Sequence, residues 1–211
     1  MEGIKSLDFY QPFISLVKIH ICLMTYNQKT EQKRHQPFHL YLDKQIYFFS
    51  VHAYHNVPVL KNLNRKSGFK QKLKETALEK QCNIIAWVIL DNHYHFMMKT
   101  NKGENIPDIF KRIHGATSFQ WNKEDGKRDR KIWQSYWDYC IRNESDYWTR
   151  FNYIHHNPVK HCYVERMEDY EFSSFNYYVK SKGYEWLMSA FEKYPVIDYT
   201  VEGDEDKSLK T

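Results

Sequence analysis

Glycine and proline are scarce in this chain of 211 residues, seven and six respectively, which excludes collagen-like and Gly/Pro-rich low-complexity architectures. Cysteine is scarcer still. Cys22, Cys82, Cys140 and Cys162 lie far apart with no C-x-x-C pair, a spacing that argues against a zinc ribbon and against a disulfide framework. Reduced thiols and a cytoplasmic location are the expectation. No run of about 18 apolar residues occurs, so no membrane-spanning helix is expected. The apolar stretch from Phe13 to Met24 is interrupted by Lys18 and His20 and leads to no small-residue cleavage site, so it does not read as a signal peptide.

What the chain has in quantity is aromatic side chains and positive charge. Aromatics make up 17% of the residues, enough large groups to bury to exclude a disordered protein. The length fits one ordinary domain with extensions. The formal net charge is +5, and the acidic stretch from Glu202 to Asp206 conceals a more basic body. A polyanionic partner is the class of ligand this balance suits. Basic residues cluster from Lys61 to Lys80 and from Lys111 to Lys131, although solvated helix faces have the same composition. Lys111, Arg112, Lys127, Arg128, Arg130, Lys131 and Arg142 are the candidate nucleic-acid contacts, interleaved with Trp121, Trp133, Tyr136 and Trp137 as candidate stacking rings.

Along the chain, residues 1–43 form an extension set off by the polar run 27–36, and Met24 is an alternative start. Gln45 to Tyr54 has the aromatic and β-branched content of a strand, and Ser67 to Gln81 places Phe69, Leu73, Ala77 and Leu78 at helical spacing. Asn83 to Leu90 is a continuous apolar run of strand length, and His93 to Lys99 continues it as a hairpin. Ile106 to Trp121 carries Ile109, Phe110, Ile113, Ala116 and Phe119 on an amphipathic helix. Trp133 to Ile141 reads as irregular or short-strand packing. A third helix begins near Asn143, with Glu144 and Asp146 suited to its N-terminus, and is expected to end by Asn157 because Pro158 disfavours helix before it. The order βαββα followed by a helix predicts an α+β fold, a ferredoxin-like antiparallel sheet with helices packed on one face, over residues 44–180. Residues 181–211 are read as a tail, acidic near its end.

Two patterns carry chemistry. His93 and His95 are two apart on a strand, so both imidazoles point to one face and can reach one ion. Eleven histidines produce roughly 0.6 such H-x-H triplets by chance, so the spacing alone is weak; its setting, in an otherwise apolar hairpin, is what gives it weight. Tyr153 and Asn157 are at i and i+4 near the end of the third helix, which brings a phenol and an amide onto one helix face about 6 Å apart along the axis.

The three blocks IIAWVILDNHYHFMM, WQSYWDYCIRNESDYWTRFNYIHHNPVKH and YEFSSFNYY, in this order, resemble the REP-associated tyrosine transposases, relatives of the IS200-type single-strand DNA transposases of HUH type. The resemblance covers about residues 44–180. It implies that His93 and His95 are the HUH metal ligands, that Asn157 completes the metal site, and that Tyr153 is the nucleophile of a metal-dependent single-stranded DNA endonuclease and strand transferase. Two imidazoles suit zinc, whereas phosphoryl chemistry and the resemblance favour Mg²⁺ or Mn²⁺. Single-stranded or hairpin DNA is the implied partner, with the chain acting as a monomer or a homodimer. Two positions depart from the family pattern: Asp91-Asn92 stands where Pro-Asn or Pro-Glu is common, and Tyr139 stands where a histidine is frequent.

Rival chemistries fit less well. A histidine-triad hydrolase needs H-x-H-x-H, and position 97 is Met97. A zinc deaminase needs H-x-E with a later P-C-x-x-C, and neither is present. The remaining alternative is a catalytically silent single-strand binding module derived from a transposase.

Overall fold

The structure, a computed structural model, describes residues 41–197. The first 40 residues of the expected extension, Cys22 and Met24 among them, and the acidic segment near residues 202–206 lie outside that range. Four strands, β1 (Ile46–His52), β2 (Asn83–Ile89), β3 (His93–Lys99) and β4 (Trp137–Cys140), form one antiparallel sheet in the order β2-β3-β1-β4. The helices between them are α1 (Leu63–Glu79) and α2 (Asn105–Glu124), followed by α3 (Glu144–Lys160), α4 (Phe175–Lys182) and α5 (Tyr184–Lys193).

The pairing register sorts the side chains of the two central strands. Phe49 faces Phe96 and Val51 faces Tyr94 across the β1–β3 ladder, whereas Ser50 faces His95 and His52 faces His93. Because alternate residues point to opposite sides, one sheet face carries aromatic rings and the other carries imidazoles. The aromatic face is covered by α1 and α2, as the sequence pattern led one to expect: Phe110 of α2 meets Phe49 at 5.1 Å between ring centroids, and Phe69 of α1 meets Tyr94 at 4.5 Å. Helix α3 covers the opposite face, where Tyr153 packs edge-on against Phe48 at 6.1 Å. With layers on both sides, β1 and β3 are buried almost throughout. This is why they read as near-continuous apolar runs rather than alternating ones.

Several boundaries move for identifiable reasons. Helix α1 starts four residues before Ser67 because the Asn62 side chain caps it, accepting from the backbone N–H groups of Asn64 and Arg65. On α2 the buried stripe runs Ile113, Thr117, Trp121, and Phe119 is 76% exposed. Thr117 can take the core position because its hydroxyl donates to the Ile113 carbonyl and accepts from the Trp133 indole N–H at 2.9 Å. Helix α3 begins as expected, with Asn143 accepting from the Asp146 N–H, but it does not end at Asn157. It continues through Pro158 to Lys160. Proline removes one backbone donor from the ladder, and the burial of Phe151, Ile154, Asn157 and Pro158 against the rest of the fold outweighs that loss.

The packed body extends past residue 180. Gly183 adopts φ 93° between α4 and α5, a backbone conformation open to glycine. The turn returns α5 to α3, where Asn152 donates to the carbonyls of Ala190 and Tyr194 at 3.0 and 2.7 Å and Trp186 meets Trp148. Residues 41–43 also pack on the body: a Cβ at Gly103 would lie 2.6 Å from the Tyr41 backbone. Among the described residues no helix is long and apolar enough to cross a membrane.

Candidate active site between the sheet and the third helix

Strand β3 delivers His93 and His95 to the face under α3, with ring centroids 5.1 Å apart. Helix α3 delivers Tyr153 and Asn157, one turn apart. The Tyr153 ring stands edge-on to His95 at 5.3 Å, and Asn157 Oδ1 lies 3.1 Å from His93 Nε2. The two sequence patterns, 60 residues apart in the chain, therefore meet at one place, and all four side chains are buried.

The hydrogen bonding around His93 is chemically one-sided. Its Nδ1 lies 2.6 Å from Asn92 Oδ1, and its Nε2 faces the oxygen of Asn157. Both amide oxygens are acceptors, and a neutral imidazole has only one N–H to donate. The ring is held neutral, with its pKa well below the ordinary histidine value, because burial disfavours charge and because His95, His52 and His161 crowd it. With the proton on Nδ1, the Nε2 lone pair and the Asn157 oxygen stand 3.1 Å apart as two acceptors. A cation there satisfies both. Asn157 Nδ2 is buried without a hydrogen-bond partner among the described residues, consistent with an amide oriented by its oxygen. Among the described residues no three His, Cys, Asp or Glu side chains are grouped to hold an ion. The residues present, two imidazoles and an amide oxygen, thus fit a divalent cation.

Four neighbours of the site were not singled out from the sequence. His52 stacks on His93 at 4.9 Å, and His161 meets it edge-on at 4.8 Å. Lys160 Nζ lies 5.2 Å from the Tyr153 ring centre. The Arg150 guanidinium, almost wholly buried, lies 3.8 Å over the Tyr139 ring. The position of Lys160 was open to inference, since it is seven residues after Tyr153 and three after Asn157 on the same helix face. That of His52 required the β1–β3 register. His155, in the same sequence block, points away: its Nε2 pairs with Ser174 Oγ at 2.7 Å, and burial pushes its pKa down to about 3.

The expected nucleic-acid contacts separate into groups. Lys111 and Arg112 sit on α2, in the layer over the other sheet face, and Arg112 is engaged by Glu79 and Asp108. Arg130 is held by Asp125 at 2.6 Å and by Asn122. Lys127, Arg128 and Lys131 are exposed on the segment after α2. This segment passes the end of β1, where Tyr54 N–H donates to the Ile132 carbonyl and Gln134 N–H to that of His52. Arg142 is exposed beside Tyr139 at the start of α3. Of the candidate stacking rings, Trp121 and Trp133 are core residues and Tyr136 is stacked on Phe110 at 3.7 Å; Trp137 is half-buried against Phe48.

Comparison with known proteins identifies the family. Residues 47–157, from the second residue of β1 to Asn157, match the family described as Transposase IS200 like. A Haemophilus influenzae (strain Rd) protein assigned as a REP-associated tyrosine transposase is 32% identical over 126 residues, spanning 55% of this chain and 72% of that protein. The REP-associated tyrosine transposase of Escherichia coli K12 is 35% identical over 94 residues, 44% of this chain and 54% of that one. The solved structure of a REP-associated tyrosine transposase bound to a REP hairpin is also similar, with a TM-score of 0.57 at 26% identity, covering 74% of this chain and 88% of that one. The family match covers more than half of the chain, from β1 to Asn157, and this chain belongs to the IS200-like transposases, among the REP-associated tyrosine transposases of HUH type.

Proposed function

We propose that the chain cuts and rejoins single-stranded DNA, with Tyr153 as the nucleophile and with His93, His95 and Asn157 holding Mg²⁺ or Mn²⁺. The observation that carries this reading is the approach of Tyr153 to His95 at 5.3 Å on the same helix face that aims Asn157 Oδ1 at His93 Nε2. A divalent ion held there supplies charge neutralisation at a phosphate oxygen and orients the diester for in-line attack.

The remaining work falls to the side chains. A phenol with an ordinary pKa near ~10 is a poor nucleophile at neutral pH, and the Lys160 ammonium stands 5.2 Å from the Tyr153 ring centre, where it adds positive charge beside the reacting group. Tyr153 Oη forms a bond to phosphorus as the P–O3′ bond breaks. The phenolic proton is given up to water, and the departing 3′ oxygen takes up a proton. The product is a 5′-phosphotyrosine and a free 3′ hydroxyl. Because the new ester conserves the phosphodiester bond, a 3′ hydroxyl can reverse the step and join a different strand.

The proposed substrate is single-stranded or hairpin-ended DNA, supported by similarity to the hairpin-bound transposase and by the exposed Lys127, Arg128, Lys131 and Arg142. The test is incubation with single-stranded DNA carrying a hairpin, in Mn²⁺ or Mg²⁺, followed by a denaturing gel. A covalent protein–DNA adduct is expected from the unaltered chain and none from Tyr153→Phe or in the presence of a chelator. An adduct that persists in Tyr153→Phe would show the nucleophile to be misassigned. DNA binding without any adduct from the unaltered chain would favour the silent binding module.

A further inference from the structure

The strongest feature outside the catalytic cluster is a buried lysine. Lys66, on the first turn of α1, is 4% exposed, and its ammonium is surrounded by the rings of Tyr163, Tyr170 and Phe172 at 6.0, 5.6 and 5.3 Å. It donates to Asp91 Oδ1 at 2.7 Å and to the Tyr170 hydroxyl at 3.1 Å. A buried lysine and its partner lose hydration that a surface pair keeps, and replacing the pair with apolar groups is often tolerated. Its presence here asks for a use other than stability.

The partner points to the use. Asp91 opens the two-residue turn between β2 and β3, and the next two residues are Asn92 and His93. Four backbone groups around that turn are held from outside the hairpin. Tyr170 OH donates to the Ile89 carbonyl at 2.8 Å, Asp91 N–H donates to the Tyr163 hydroxyl at 3.3 Å, and the Asp91 carbonyl accepts from Leu60 N–H at 2.8 Å. The Asn92 carbonyl accepts from Ala53 N–H at 2.7 Å. The Lys66 ammonium is the hub, because it bonds both the Asp91 carboxylate and the tyrosine that holds Ile89. The turn sets Asn92 Oδ1 2.6 Å from His93 Nδ1, and donation of Nδ1–H to that oxygen would leave Nε2 as a lone pair. Outer-shell partners of this kind set ring tautomer and orientation at metal sites, and their loss weakens metal binding about 10- to 100-fold.

We propose that Lys66 and Asp91 are positioning residues for the cation site: the pair locks the β2–β3 turn so that Asn92 fixes the tautomer and aim of His93. The inference rests on the reading of His93 as a metal ligand. It concerns residues that touch neither DNA nor the ion, and it assigns to α1 a part in the site that lies under α3.

The probe is Mn²⁺ alone, titrated into the full chain without DNA and followed by the electron paramagnetic resonance signal of the free ion, with Tm measured on the same samples. Lys66→Met keeps an unbranched apolar stem among the three rings and removes the ammonium. Asp91→Asn is nearly isosteric and keeps an oxygen for Lys66, so it serves where Lys66→Met folds poorly. Both variants are expected to bind Mn²⁺ about tenfold more weakly. Lys66→Arg, which restores a donor cation, is expected to recover most of that loss. Adduct formation should fall in Lys66→Met at limiting Mn²⁺ and recover at saturating Mn²⁺. A lower Tm with Mn²⁺ affinity unchanged in both variants would overturn the inference and leave the pair with a purely structural role. An unaltered chain that binds no Mn²⁺ would overturn the metal reading itself, and the inference with it.

Discussion

At the scale of single residues, the site is a problem of acceptors without donors. In the proposed site Asn157 would contribute an amide oxygen where a carboxylate would give a stronger ligand, so Asn157→Asp is informative. Without a cation the variant buries a charge beside a ring already held neutral, and its Tm should fall below that of the unaltered chain. With Mn²⁺ the carboxylate becomes a better ligand, and the Tm gained on adding the ion should exceed that of the unaltered chain, corresponding to affinity tighter by about tenfold, or about 1.4 kcal/mol. Equal Mn²⁺ increments in the two proteins would remove Asn157 from the ligand set. His95→Ala should abolish metal-dependent adduct formation and destabilise the fold by about 1–3 kcal/mol through the space left against Phe48 and Tyr153. Tyr139, which departs from the family pattern, has a structural place: its hydroxyl donates to Asp146 Oδ2 at 3.0 Å and its ring carries Arg150.

At the scale of elements, α3 is the part on which the site depends, because a rotation or slip of that helix would move Tyr153 and Asn157 together. Its start is fixed by Asn143, whose side chain accepts from Asp146 N–H, and by Asp146, whose carboxylate accepts from Tyr139 and from Arg142 N–H. Asn143→Ala is expected to cost about 1 kcal/mol, read in a denaturant melt, with adduct formation retained because the tertiary contacts of α3 remain. That start was legible in the sequence, since an Asn cap followed by two acidic residues is a local signal. The continuation through Pro158 was not, because local chemistry argues for a stop there and only the buried contacts of the last turn argue against it. The same distinction separates β3, read correctly from His93 to Lys99, from β4, whose four residues are defined by pairing with Tyr47 to Ser50 rather than by their own pattern. Spacing puts His93 with His95 and Tyr153 with Asn157 on common faces but is a weak signal by itself; what singled the four out is the resemblance of the surrounding sequence blocks to the transposase family. His52 and Arg150 could not be singled out, because they reach the site through strand register and helix packing that no local pattern encodes.

At the scale of the whole molecule, charge and protonation govern behaviour. If Lys127, Arg128, Lys131 and Arg142 are the phosphate contacts, log affinity for single-stranded DNA should fall with log salt at a slope of about −3, from about 0.7 per contact. Arg112→Ala should leave that slope unchanged, since Arg112 is committed to Glu79 and Asp108; a slope that shifts in Arg112→Ala would relocate the DNA path onto α2. Stability against acid is the sharper consequence. His114, packed between Phe110 and Trp133 and bonded to the Tyr94 hydroxyl at 2.7 Å, has its pKa pushed down to about 3 by burial, and burial does the same to His155. A histidine in the unfolded chain titrates near ~6.5. Above that pH both states are neutral at these rings and neither contributes a pH dependence. As pH falls below it, the unfolded chain takes up protons that the folded chain refuses, so stability is lost between about pH 6.5 and about pH 3. At pH 5.5 each ring accounts for a loss of about 1.4 kcal/mol, close to 3 kcal/mol for the two. Urea unfolding at pH 7.5 and 5.5 measures the loss. In His114→Gln, whose amide can still meet the Tyr94 hydroxyl but does not titrate, the difference between the two pH values should shrink by about 1.4 kcal/mol; an undiminished difference would mean that His114 is already protonated in the folded chain.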